Sequence, residues 1–126
     1  MSFRHEMRIR YSEVDMQRHV FNAHYLAYID DACDAWFREA IGVDYGKQFD
    51  VVLKRLDITW NGSATWGDVL SVDVEAERWG NTSFDIGFTG AVDDHSVFQS
   101  TVTYVSVGFG TTEPVPVPDF VRAALA

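Results

Sequence analysis

The chain is short of cysteine, of basic residues and of long apolar runs. Cys33 is its single cysteine. No intrachain disulfide can form, which excludes a disulfide-stapled secreted fold, and a four-cysteine or CxxC zinc site is excluded with it. Lysine and arginine number 10 against 19 aspartates and glutamates, a formal net charge of −9 with the four histidines neutral. The bases are scattered along the chain, which speaks against nucleic acid and anionic membranes as partners. A small anionic molecule needs only a few local cations and stays open. No stretch approaches 18 apolar residues, and the start Met1-Ser2-Phe3-Arg4-His5-Glu6 has no apolar targeting segment. A cytoplasmic protein is the expectation. Nine glycines and three prolines are too few for collagen or low-complexity sequence.

What is present suits a packed domain. The 126 residues are 47% hydrophobic and 14% aromatic, enough for one domain over residues 1–126 that is stable without metal or disulfide. Met7, Ile9 and Tyr11 alternate with Arg8 and Arg10, a short strand. From Asn22 the period changes. Tyr25, Tyr28, Ile29, Ala32, Cys33, Trp36, Phe37, Ala40 and Ile41 recur at three- and four-residue spacing, one apolar stripe of a helix of about five turns. Asn22 is the expected N-cap and Gly42 the residue past its end. The rest reads as strand: Leu56 to Trp60, Leu70 to Glu77, Phe84 to Phe88 and Val97 to Val107, in a meander punctuated by Asn61-Gly62-Ser63, Trp66-Gly67-Asp68, Gly80-Asn81 and Asp93-Asp94. A short helix over Phe120–Leu125, capped by Asp119, follows the proline-rich tail. The expected class is α+β, one long helix on an antiparallel sheet of about five strands.

Most catalytic signatures are absent. There is no Gly-x-Ser-x-Gly elbow, and Gly108-Phe-Gly110 lacks the third glycine and the helix of a dinucleotide loop. His19 and His24 stand five apart with no His-Glu-x-x-His, so no metal ligand set is expected. Cys33 flanks the helix stripe as a small hydrophobe, Asp34 is spaced to pair with Arg38, and Asp30 borders the stripe. Asp15 is different: it lies seven residues ahead of Asn22, in a polar segment closed by Val20 and Phe21. A helix N-terminus presents unpaired N–H groups and a positive dipole end, suited to a developing oxyanion. A carboxylate beside it has the means to attack a carbonyl or activate water, although loop aspartates before helices are also common turn and cap residues.

The run from Arg10 to Leu26, Arg-Tyr-Ser-Glu-Val-Asp-Met-Gln-Arg-His-Val-Phe-Asn-Ala-His-Tyr-Leu, resembles the signature of 4-hydroxybenzoyl-CoA thioesterase-like hotdog proteins. Asp30, Gly67-Asp68, Thr82-Ser83-Phe84 and the proline-rich tail fall in matching order. The resemblance implies a hotdog fold, with the sheet wrapped around the long helix, and a homodimer or homotetramer with the thioester site at a subunit interface. It implies acyl-CoA or aroyl-CoA thioester hydrolysis, on CoA or an acyl carrier protein, with no metal or redox cofactor. Asp15 would be nucleophile or general base, and the backbone N–H of Asn22 would polarise the carbonyl. His19 is a weaker candidate as acid–base partner. The acyl pocket would draw on Tyr25, Trp60, Asn61 and strand residues of the partner subunit, substrate binding also on Thr82 and Ser83, and the CoA phosphates on Arg55, Arg78 and Lys54. Arg18 departs from the family's usual glycine, so either the loop geometry differs or the cation acts on CoA phosphate or on Asp15. Two rivals remain: an enoyl or 3-hydroxyacyl thioester hydratase–dehydratase with His19 as base, and a non-catalytic acyl-thioester binding module.

Overall fold

The computed structural model describes residues 2–126. In chain order the elements are β1 (Ser2–Arg8), α1 (Asn22–Ala40), β2 (Asp50–Trp60), β3 (Val69–Trp79), β4 (Ser83–Val92), β5 (His95–Val107) and α2 (Asp119–Leu125). Alternation builds the strands. In β3, Leu70, Val72 and Val74 are buried while Ser71, Asp73, Glu75 and Glu77 look outward; in β4, Phe84, Ile86 and Phe88 point inward. All pairings are antiparallel, in the order β1-β3-β4-β5-β2.

The inner face of this sheet wraps around α1, whose stripe buries Tyr25, Tyr28, Ile29, Ala32, Cys33, Trp36 and Phe37. Stripe and sheet form one apolar cluster with Phe98 and Val102 of β5. Burial at ~2 kcal/mol per large apolar side chain holds the helix in place far more strongly than its propensity does. This is the hotdog fold. Val117, Val121 and Leu125 of the tail and α2 seal one end. There Arg122 donates to the carbonyls of Gly80 and Asn81 and lies 5.6 Å over the Trp79 ring. Among the described residues no helix is long and apolar enough to cross a membrane.

Four details differ from the sequence reading. β1 ends at Arg8: Ile9 is still buried, but Tyr11 opens a single 3₁₀ turn and is 77% exposed, edge-on to Trp66. The helix begins one residue early, with Phe21 as N-cap and Asn22 already helical, because the Phe21 N–H is held by the Glu13 carbonyl at 3.0 Å. Pro118, not Asp119, is likewise the N-cap of α2. The fourth difference matters most: the strands after α1 are not a simple meander. β2 pairs with β5 at the far edge, and only β3, β4 and β5 run consecutively. Residues 61–68 therefore cross the end of the sheet. Eight extended residues reach ~28 Å, ample for the ~15 Å of three strand spacings.

Candidate active site

That crossing segment passes under the start of α1 and meets the loop before it. Val14 and Val20 form an antiparallel bridge. Inside it the Asp15 N–H donates to His19 O and the Arg18 N–H to Asp15 O, both at 2.9 Å. Met16–Arg18 is thus a three-residue hairpin loop whose last residue takes the left-handed conformation, at φ 67° for Arg18. The loop geometry is the one a glycine favours; Arg18 adopts it rather than changing it. Glu13 anchors the base of the loop. It is buried, and accepts the Arg10 N–H at 2.8 Å and the Arg10 guanidinium at 2.9 Å. Burial alone would raise its carboxyl, but the Arg10 hydrogen bonds prevail and hold it below the usual range.

The loop brings Asp15 into one cavity with Asn22 at the helix start. Asp15 Oδ1 accepts the Gln17 N–H at 2.9 Å and the His19 N–H at 3.4 Å, an Asx turn. Its Oδ2 meets no protein donor among the described residues. Phe21 supplies no side-chain cap, so the Asn22 N–H is open to a ligand at the positive end of a helix dipole. The crossing segment completes the floor. The Val20 N–H donates to Ala64 O at 2.9 Å, the Ala64 N–H to the Tyr25 hydroxyl at 3.1 Å, and the Thr65 hydroxyl to Arg18 O. Ser63 Oγ lies 3.0 Å from His19 Nδ1. Tyr25 is 1% exposed and sits edge-on to Trp60, 6.0 Å between centroids. The result is a cavity of about 360 Å³ lined by Asp15, Gln17, His19, Val20, Asn22, Tyr25, Trp60, Gly62 and Ser63.

Of the residues expected at a site, Asp15, His19, Asn22, Tyr25 and Trp60 meet here. Asn61 is adjacent, but its carboxamide donates to Ser96 Oγ at 3.1 Å. The others lie elsewhere in the same chain. Arg55 pairs with Asp57 at 3.2 Å on the open edge of the sheet, and Lys54 sits beside it at a register shift of β2. Arg78 is fixed by Asp85 at 2.9 Å and by Ser83 Oγ at 3.0 Å. Thr82 and Ser83 belong to that same turn. Ser83 pairs with Val105 and Trp60 with Phe98, so the two places stand ~23 Å apart along β5. Sequence alone does not single out Gln17, Gly62 and Ser63; Asn61-Gly62-Ser63 signals only a turn, and nothing local says that the turn lies across a helix start.

Two other cavities have different character. One of about 530 Å³, flanking the second half of α1, includes Asp30, Cys33 and Tyr104. Partial desolvation raises the carboxyl of Asp30, an exposed residue, and burial pushes the Cys33 thiol up to about 12, which leaves that cysteine an inert core residue. A larger one, about 880 Å³, is the concave wet face of the sheet, where Asp57, Asp73, Glu75 and Glu77 lie and where Arg4 is paired with Asp73 at 2.7 Å. The Asp15 cavity joins a free carboxylate oxygen to an uncapped helix start, which is the equipment for acyl transfer.

Comparison with known proteins agrees with that reading of fold and family. The model of the Thioesterase-like superfamily matches residues 9–125, and the chain belongs to that superfamily. No curated protein matches the chain. Among solved structures, a thioesterase-superfamily protein from Jannaschia sp. superposes with a TM-score of 0.92 at 22% identity, covering 98% of this chain and 90% of that one. A 1,4-dihydroxy-2-naphthoyl-CoA thioesterase from Synechocystis gives a TM-score of 0.88 at 15% identity, covering 99% and 96%. A thioesterase from Thermus thermophilus, solved with coenzyme A and zinc, gives 0.86 at 23% identity, covering 97% and 90%.

Proposed function

We propose that this member of the Thioesterase-like superfamily hydrolyses an acyl- or aroyl-CoA thioester to the free acid and CoA, at the Asp15 cavity. One observation carries the reading: a carboxylate with one oxygen pinned and one free, set beside an uncapped helix start. The thioester carbonyl oxygen would sit on the Asn22 N–H, which holds the negative charge of the tetrahedral intermediate; one such donor is worth ~3–4 kcal/mol of barrier in other enzymes. Asp15 either adds to the carbonyl, expelling the thiolate and leaving a mixed anhydride that water cleaves, or takes a proton from the attacking water. Tyr25 and Trp60 pack the acyl group. Structures similar to this one include a naphthoyl-CoA thioesterase and a thioesterase holding coenzyme A, which supports CoA as carrier.

The protein works as a homodimer or larger assembly. β2 is an edge strand with exposed Val52, Leu53 and Trp60. Arg55, Arg78, Thr82 and Ser83 are too far from Asp15 of their own chain to touch the same acyl group, so they serve a neighbouring subunit's substrate or none. The test is a panel of acyl- and aroyl-CoA thioesters read by release of free thiol. Asp15→Asn loses most of the turnover while the oligomer stays folded. Unchanged turnover in that variant, or hydration of an enoyl thioester with no hydrolysis, would contradict the reading.

A further inference from the structure

Arg18 is held in a conformation that suits it badly. It is one of two non-glycine residues with positive φ among the described residues. The other, Asp93, is a residue type that tolerates the left-handed region. A long side chain there costs ~1 kcal/mol or more relative to glycine. Among the described residues its side chain makes no bond that offsets this; Arg18 is tied to the rest of the chain through its backbone.

Its guanidinium is unusual in a second way. Of the eight arginines, five are tied to carboxylates: Arg4 to Asp73, Arg10 to Glu13, Arg38 to Asp34, Arg55 to Asp57 and Arg78 to Asp85. Arg8 and Arg122 donate to backbone carbonyls. Among the described residues Arg18 is the arginine with neither kind of partner, in a chain of net charge −9 where carboxylates are plentiful. It is the last residue of the loop that supplies Asp15, Gln17 and His19 to the cavity. The Arg18 N–H donates to Asp15 O at 2.9 Å, so its backbone stands close to Asp15, and its exposed side chain is long enough to reach a ligand at the mouth of the cavity.

We propose that Arg18 is a specificity-determining residue that binds an anionic group of the thioester substrate, a phosphate of the carrier or a carboxylate of the acyl chain. Guanidinium pairs with either by the same two-pronged, charge-assisted hydrogen bonding. The proposal rests on the thioesterase reading of the cavity. It accounts for a strained backbone position occupied by a side chain that does nothing for the fold.

The experiment compares wild type with Arg18→Gly, Arg18→Gln and Arg18→Lys on three thioesters. These are a neutral acyl group on CoA, the same group on pantetheine without phosphate, and a carboxylate-bearing acyl group on pantetheine. Removing the charge lowers kcat/KM for an anionic thioester relative to the neutral pantetheine thioester by about tenfold, mainly through KM. Gln retains the strain and Gly relieves it, so equal losses in both assign the effect to charge, and Lys restores part of it. Loss confined to CoA identifies the phosphate as partner; loss confined to the carboxylate substrate identifies the acyl group. Selectivity ratios unchanged in Gly and Gln would overturn the proposal. Should wild type hydrolyse none of the three, the thioesterase reading fails, and binding of CoA and of the carboxylate-bearing thioester, followed by isothermal titration calorimetry, decides Arg18 separately. Equal affinity of wild type and Arg18→Gln for both then overturns it.

Discussion

The two ends of the sheet treat their polar groups in opposite ways. At the Trp79–Ser83 turn every cation has partners: Arg78 is held twice by Asp85 and once by Ser83, and Arg122 caps the carbonyls of Gly80 and Asn81. At the start of α1 the reverse holds. Among the described residues Asp15 keeps a free oxygen, the Arg18 side chain has no partner, and the helix has no side-chain cap. A saturated network stabilises; an unsaturated one binds. Substitutions at the saturated end should therefore cost stability, and those at the open end activity.

The largest effect on stability is expected where the active end borrows the style of the other. Glu13→Ala removes two hydrogen bonds to Arg10 from a buried carboxylate and destabilises the fold by about 1–3 kcal/mol. It also loosens the Asp15 loop, so turnover falls with it; urea denaturation and thiol release on one preparation check both. The next effect depends on pH. The Arg78 hydrogen bond holds the Asp85 carboxyl below its ordinary 3.8. A depressed carboxyl gives stability that is present above its unfolded value and lost as pH falls through its folded one. The thermal midpoint of the wild type therefore drops below about pH 4, and that of Asp85→Asn drops less steeply over the same window. Parallel curves would show that the saturated end contributes nothing to acid stability. The smallest effect has the opposite sign. Arg18→Gly relieves the left-handed backbone and raises stability by ~1 kcal/mol, readable as a shift of the urea midpoint at constant m-value. A stabilising change in the loop beside a site is the mark of strain kept for function.

Much of this contrast is hidden in the sequence for identifiable reasons. The helix stripe is plain because seven buried side chains repeat at 3.6-residue spacing on one face. Strands β3 to β5 show themselves by alternation. The position of β2 does not, since alternation tells which face a residue takes but not which strand it pairs with. That pairing sends residues 61–68 under α1 and brings Ser63 to His19. Asp15 stands out through the ordered run around it, and a role as an Asx-turn residue is an equally ordinary reading until the uncapped helix start appears beside it. The geometry shows the turn, made by one oxygen, and leaves the other without a protein donor among the described residues, which is what the proposed role needs. Arg78 and Ser83 suit a ligand by residue type, and only the folded chain shows that they bind each other.

In the proposed mechanism the function turns on the open N–H at the start of α1, and a single substitution removes it. Asn22 is the first residue of the helix, where proline is favoured, and Phe21 before it has the extended conformation (φ −61°, ψ 130°) that a following proline accepts. Asn22→Pro therefore deletes the donor while preserving the helix. The measurement is kcat for thiol release from the best thioester, with thermal unfolding of the same samples. The expected result is an unchanged unfolding midpoint and a kcat lower by ~10²–10³. A variant that turns over thioester at the wild-type rate would contradict it.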